Sequence, residues 1–218
     1  MIDLAVCTYS LSRWQREKNK SLPQVLRWLA EHDVPAVEFS GIDEDRPAQM
    51  VRRAVQLRRQ CDKLGLHVCS YCIGAELLLD PRPQRDEVER LKQHVEVAAA
   101  LGVPTMRHDI THGDFSKLKK HKGARTFNAA VKIVAPSIRE VTEYAAGKGV
   151  RTSLENHGFY CQAPDRVEKI ITSVEHENFG LTMDMGNFLC ANADPVAAVK
   201  QLIKYAFHVH AKDFHIKP

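Results

Sequence analysis

Three short segments combine residue types and spacing that could do chemistry: Leu154-Glu155-Asn156-His157-Gly158, Met183-Asp184-Met185-Gly186-Asn187 and His208-Val209-His210-Ala211-Lys212-Asp213. Each begins in an apolar, strand-like run and ends in ionisable groups. Glu155, Asp184 and His210 offer two carboxylate oxygens and an imidazole nitrogen. Gathered round one point, that mixed hard set suits Mn²⁺, Mg²⁺, Co²⁺ or Zn²⁺. The set holds no thiolate, which argues against a closed structural zinc site. Taken singly, each residue has an ordinary use. Glu155 could pair with a barrel cation such as Arg107, Asp184 could cap the following helix, and His210 could be a satisfied core histidine. Their joint occurrence, in order on successive strands, is what points to a metal.

The elements that must position these groups follow from periodicity. Short apolar runs occur at 2–7, 36–39, 66–73, 103–107, 150–154, 181–183 and 207–209. Between them lie stripes with steps of three and four, as half-buried helices require. Examples are Leu22, Val25, Leu26 and Leu29, then Val88, Leu91, Val95 and Ala98, then Val167, Ile170, Ile171 and Val174. Gly65, Gly102 and Gly149 each separate a stripe from the next strand, where a left-handed C-cap is expected. Asp194-Pro195 reads as an N-cap followed by a first-turn proline. Pro136 falls inside a stripe and should kink or break that helix.

Seven strand–helix alternations without hairpin signals imply parallel pairing. An open doubly wound sheet and a closed (β/α)8 barrel both fit. Strand ends decide between them: Tyr9, Glu38, His108-Asp109, Glu155, Asp184 and His210 would converge on one centre in a barrel but spread along an edge in an open sheet. No GxGxxG turn follows the first strand. The expected fold is therefore α/β, a single TIM barrel domain over residues 1–218 with only about seven strands present and the C-terminal part missing.

Composition narrows the function classes. The chain has 218 residues, 44% of them hydrophobic, and a formal charge of +4 that is not gathered into a stripe. That balance disfavours a nucleic-acid partner. No run approaches the roughly 20 apolar residues of a membrane span, and the sequence opens without a signal-like leader. Six cysteines could suggest disulfides, but Cys7, Cys69 and Cys72 sit in apolar strands where buried thiols are ordinary. Cys69 and Cys72 have CxxC spacing, yet residues three apart on a strand face opposite sides. A reducing cytoplasm is the expected compartment.

The LENHG, DMGN and HVHAKD strings, in order and with the right strand spacing, resemble the xylose isomerase-like barrel superfamily, in particular its sugar phosphate isomerase/epimerase group. The resemblance runs over the whole chain. It implies one divalent metal held by Glu155, Asp184 and His210, with a fourth ligand, a glutamate on strand eight, beyond Pro218. It also implies isomerisation or epimerisation of a sugar or keto-polyol through an enediolate, or a dehydration with the same enolate chemistry. Glu155, or the strand-eight glutamate, would move the proton. Asn156, His157 and Lys212 would hydrogen-bond the substrate, and Asn187 stands where sugar epimerases of the group often carry a substrate-binding histidine. Glu38 and His108 end strands and are expected to contact substrate. Arg107, Asp109 and His112 are weaker candidates, Asp213 and His215 could orient His210, and the lysine-rich stretch at 117–122 around His121 is expected to be a solvated face. A homo-oligomer is compatible with this class. Two other functions compete. One is a DNA-repair phosphodiesterase like endonuclease IV, against which Asn187 stands in place of a zinc histidine and His67 falls at the wrong end of its strand. The other is a barrel that binds a small ligand without turnover.

Overall fold

The structure, a computed structural model, describes residues 4–111, 124, 126–158 and 160–214. Seven strands form one sheet: β1 Ala5–Cys7, β2 Ala36–Ser40, β3 His67–Ile73, β4 Thr105–His108, β5 Arg151–Glu155, β6 Phe179–Asp184 and β7 Ala206–His210. Each pairs in parallel with the next, in sequence order. The sheet curls into a half-barrel. In a flat sheet with strands about 4.8 Å apart, β2 and β7 would stand roughly 24 Å from each other. Instead His210 on β7 reaches Glu38 on β2 across 3.0 Å.

Helices cover the outside: α1 Ser12–Glu17, α2 Leu22–Glu31, α3 Pro47–Leu64, α4 Pro81–Leu101, α5 Phe127–Ala146, α6 Pro164–Val174, α7 Asn187–Cys190 and α8 Pro195–Leu202. The expected stripes are their buried faces, including Val25, Leu26 and Leu29 on α2 and Val88, Leu91 and Val95 on α4. Each such side chain contributes about 1.5–3 kcal/mol when fully buried. Helix starts are set by local chemistry. Gln24 Oε1 accepts from the Ser21 amide at 2.8 Å ahead of α2, and Asp194 accepts from the amides of Val196 and Ala197 at 2.7 and 3.0 Å ahead of α8. Gly65 and Gly102 end α3 and α4 in the left-handed conformation, at φ of 70° and 71°. Contrary to a break at Pro136, α5 runs through it. That proline lies on the exposed face, where water can satisfy the carbonyl left without an amide. Helices α1 and α7 are short and carry no stripe that periodicity could announce.

Strand alternation sorts the two faces. Val37, Phe39, Tyr71, Met106, Leu154, Leu181 and Met183 are buried against the helical layer. Thr152 belongs with them, bonding Thr142 of α5 at 2.8 Å. The other parity faces the barrel interior and is polar. Ser70, Thr105, Ser153 and Thr182 form a lower layer, with Ser153 and Thr182 bonded at 2.8 Å. One step further along the strands stand Cys72, Arg107, Glu155, Asp184 and His210.

Candidate metal centre at the strand ends

Two irregularities in the ladder precede the site. Register shifts occur at Val37/Glu38 on β2 and at Leu181/Thr182 on β6. The extra residues are Cys69 on β3 and Phe207 on β7, and such bulges re-aim the side chains that follow, here Cys72 and His210.

Asp184 is fixed on several sides. Its amide donates to Asn156 Oδ1 at 2.8 Å, and its carbonyl accepts from Asn156 Nδ2 at 2.8 Å. Its Oδ1 accepts from the amides of Gly186 and Asn187 at 2.9 and 3.0 Å, so it does cap the short helix α7. Its Oδ2 remains 3.7 Å from Lys212 Nζ. Lys212 is brought there by a close passage of its backbone over Gly186, where a Cβ would lie 2.6 Å from the Lys212 carbonyl oxygen. Lys212 in turn donates to Asn187 Oδ1 at 2.6 Å.

Glu155 lies among His210, Asn187 and Arg107. Its Oε1 stands 3.3 Å from His210 Nδ1 and accepts from Asn187 Nδ2 at 3.3 Å. Arg107 Nη2 is 2.5 Å from Oε2, confirming the pairing available to Glu155. The approach is off the line a hydrogen bond needs, and Oε2 is left buried without one among the described residues. Glu38 resembles it. Its Oε1 is 3.0 Å from His210 Nε2, while Oε2 is 3.4 Å from His208 Nε2 yet also lacks a hydrogen bond among the described residues.

Electrostatics follow from this arrangement. Burial opposes ionisation of Glu155, but the hydrogen bond from His210 and the Arg107 charge outweigh it, pulling the carboxyl down to about 2. Glu38 is likewise pulled down to about 2, burial being overcome by His210 and His208. Burial disfavours the His210 cation, yet Glu155 and Glu38 on either side raise its pKa to about 10. Asp184 is pushed up, first by burial. The Cys7 thiol, beside Cys72 and buried, is also pushed up.

The donor set fits a divalent cation. Ligand atoms of Glu155, Asp184 and His210 lie within 4.8 Å of one another. Donors on a tetrahedral ion with bonds of about 2.1 Å sit about 3.4 Å apart, and Glu155 Oε1 stands 3.3 Å from His210 Nδ1. The buried Oε2 of Glu155 has lone pairs to give, and the carboxylate–histidine pairing of Glu38 with Nε2 of His210 would leave Nδ1 for the ion.

The remaining residues singled out in the sequence lie in several different places. Asn156 and Asn187 are buried and spend their amides on Asp184, Glu155 and Lys212. His157 and Lys212 stand exposed at the rim; His157 Nδ1 is 3.5 Å from Asp109 Oδ1, and that contact raises its pKa. His108 is not brought to the cluster. Its ring is fully buried and bonded through Nδ1 to the Asp109 carbonyl at 3.0 Å. Its neighbour Arg107 points inward instead, linking Glu155 to Asp109 at 3.0 Å. Parity could have shown this, since Arg107 pairs in register with Ser153, which shares a face with Glu155. Cys7, Cys72 and His208 also join the interior. Asp213 is exposed, His67 is exposed at the start of β3, and His112, His121, residues 117–122 and His215 lie outside the described residues.

A curled parallel half-barrel with this polar interior defines an α/β barrel with its site at the C-terminal strand ends. The chain belongs to the xylose isomerase-like TIM barrel family, whose sequence model matches residues 26–218. No curated protein sequence matches it. Among solved structures it is similar to a probable 3-DHS dehydratase, AsbF, from Bacillus anthracis, at 17% identity and a TM-score of 0.73, over 96% of this chain and 72% of that one. The IolI protein with a bound zinc atom matches at 16% identity and a TM-score of 0.75, over 96% and 72%. The 3-keto-D-glucoside 4-epimerase YcjR from E. coli matches at 16% identity and a TM-score of 0.70, over 86% and 72%. At these identities the likeness is one of fold. No described helix is long and apolar enough to cross a membrane.

Proposed function

We propose that the protein is a divalent-metal-dependent isomerase or epimerase, or a dehydratase of related chemistry, acting on a sugar or keto-polyol through an enediolate. The observation behind this reading is the convergence of Glu155, Asp184 and His210 within 4.8 Å at the strand ends. An ion bound there supplies fixed positive charge against the negative charge that develops on the enediolate oxygens. The similarity of fold to an epimerase and a dehydratase supports the same class.

The chain's own residues take distinct parts. Asn156 locks the Asp184 backbone, and Glu38 holds the Nε2 side of His210. Lys212 and His157 are exposed at the rim, where they can meet substrate hydroxyls. Glu155 is held ionised and so can accept a proton, but as a weak base while Arg107 stands against it. All six cysteines are free.

The test is a panel of ketoses incubated in D₂O with protein and Mn²⁺. Deuterium should enter at the carbon next to the carbonyl, and Glu155→Gln should abolish the exchange. Nicking of abasic-site DNA without exchange on any ketose would replace this reading with a phosphodiesterase.

A further inference from the structure

Cys7 on β1 and Cys72 on β3 present their side chains to the barrel interior beside the Glu155 cluster, next to Glu38 on β2, which also pairs with His210. The two sulfur atoms are 4.0 Å apart, and Cys72 Sγ is 3.6 Å from Glu38 Oε1. Ligand atoms of all three lie within 4.8 Å of one another. A disulfide needs sulfurs at about 2.05 Å, half the observed separation. Tetrahedral zinc gives a different match. With Zn–S bonds of about 2.3 Å and Zn–O bonds of about 2.05 Å, the S···S edge is about 3.8 Å and the S···O edge about 3.6 Å.

We propose that Cys7, Cys72 and Glu38 form a second metal position, specific for a borderline ion of the zinc class. Two thiolates favour such an ion over Mg²⁺ or Mn²⁺, whereas the oxygen-rich set of Glu155, Asp184 and His210 accepts the harder ions. The thiols bind as thiolates, releasing their protons to solvent. Glu38 is the shared member. Glu38 Oε1 has lone pairs for two partners, so it can keep His210 at 3.0 Å and take the ion, and Oε2, buried without a hydrogen bond among the described residues, offers further lone pairs. Three protein ligands leave a fourth position open. The CxxC partner Cys69 is outside this set; its sulfur is turned to the Val37 carbonyl at 3.5 Å. The pair that matters is thus the one on β1 and β3, which sequence spacing hides.

Cobalt(II) tests the assignment because thiolate ligation produces a near-ultraviolet charge-transfer band that oxygen and nitrogen ligands do not. The full chain, metal-stripped and kept reduced with a phosphine, is titrated with Co²⁺ alone. The wild type should bind about two ions, one with the band. Cys7→Ser and Cys72→Ser, each checked for folding by circular dichroism, should each lose the band and one ion. Cys69→Ser should keep both, and Asp184→Asn should keep the band while losing the other ion. Absence of the band in the wild type, or its survival in folded Cys72→Ser, overturns the thiolate position. A band with a single ion, unchanged in Asp184→Asn, upholds the thiolate position and instead removes the metal site of the proposed function.

Discussion

Replacing Arg107 with methionine removes one cation while keeping much of the side-chain volume. Arg107 stands 2.5 Å from Glu155 and 3.0 Å from Asp109, and all three side chains are at most 14% exposed. It also donates to the Ile73 carbonyl at 3.1 Å. Removing one member of a buried pair leaves uncompensated charge and costs about 3–5 kcal/mol. In a domain of this size each kcal/mol lowers Tm by about 2–4 °C, so the variant should melt roughly 6 to 20 °C below the wild type in a chelating buffer. Adding Mn²⁺ should then restore more stability to the variant than to the wild type. The ion neutralises the stranded carboxylate, and it no longer meets a competing guanidinium. A ligand at about 100 times its Kd contributes about 2.7 kcal/mol. Calorimetry with and without Mn²⁺ measures both effects. A loss below about 1 kcal/mol in chelator would show that Arg107 does not balance the buried carboxylates. An identical Mn²⁺ shift in both proteins would show that it does not face the metal position.

His94, buried on α4 with its ring bonded to the Tyr71 hydroxyl at 2.8 Å, is held down at about 4, first by burial and then by Arg90. Its folded pKa lies below the unfolded value, so stability is lost as pH falls from about 6.5 to about 4, by roughly 3 kcal/mol in total. Denaturant titrations at several pH values should show that loss, and His94→Gln should flatten the profile over the same window; an equally steep profile in the variant would refute the assignment. Gly186→Ala places a methyl group against the Lys212 backbone. It should cost about 1–3 kcal/mol as overpacking and loosen the Lys212–Asn187 contact; an unchanged Tm would contradict that close passage.

The fold was legible because two periods carry it. Apolar runs mark six of the seven strands to within two residues and β1 at its C-terminal end, and three-and-four stripes mark the long helices. Helix α7 was not legible, since Asn187–Cys190 is too short for a stripe and is started by Asp184, a side chain that also reads as a ligand. The grouping of Glu155, Asp184 and His210 follows from their places at strand ends. What the sequence concealed depends on three-dimensional register. Arg107 and His108 are adjacent and both polar, and only strand parity sends the arginine inward and the histidine into the buried layer beside Phe179. Cys7 and Cys72 are 65 positions apart, and their meeting requires the β1-β2-β3 order, whereas in the conspicuous Cys69-Ser-Tyr-Cys72 spacing the Cys69 thiol turns to the Val37 carbonyl.

The most direct test of the central claim is Mn²⁺ stoichiometry and affinity, measured by calorimetric titration of the metal-stripped wild type and of Glu155→Gln and His210→Ala. The expected result is about one Mn²⁺ per chain in the wild type and loss of that binding in both variants. Mn²⁺ binding that neither substitution weakens would mean that Glu155, Asp184 and His210 do not hold the ion.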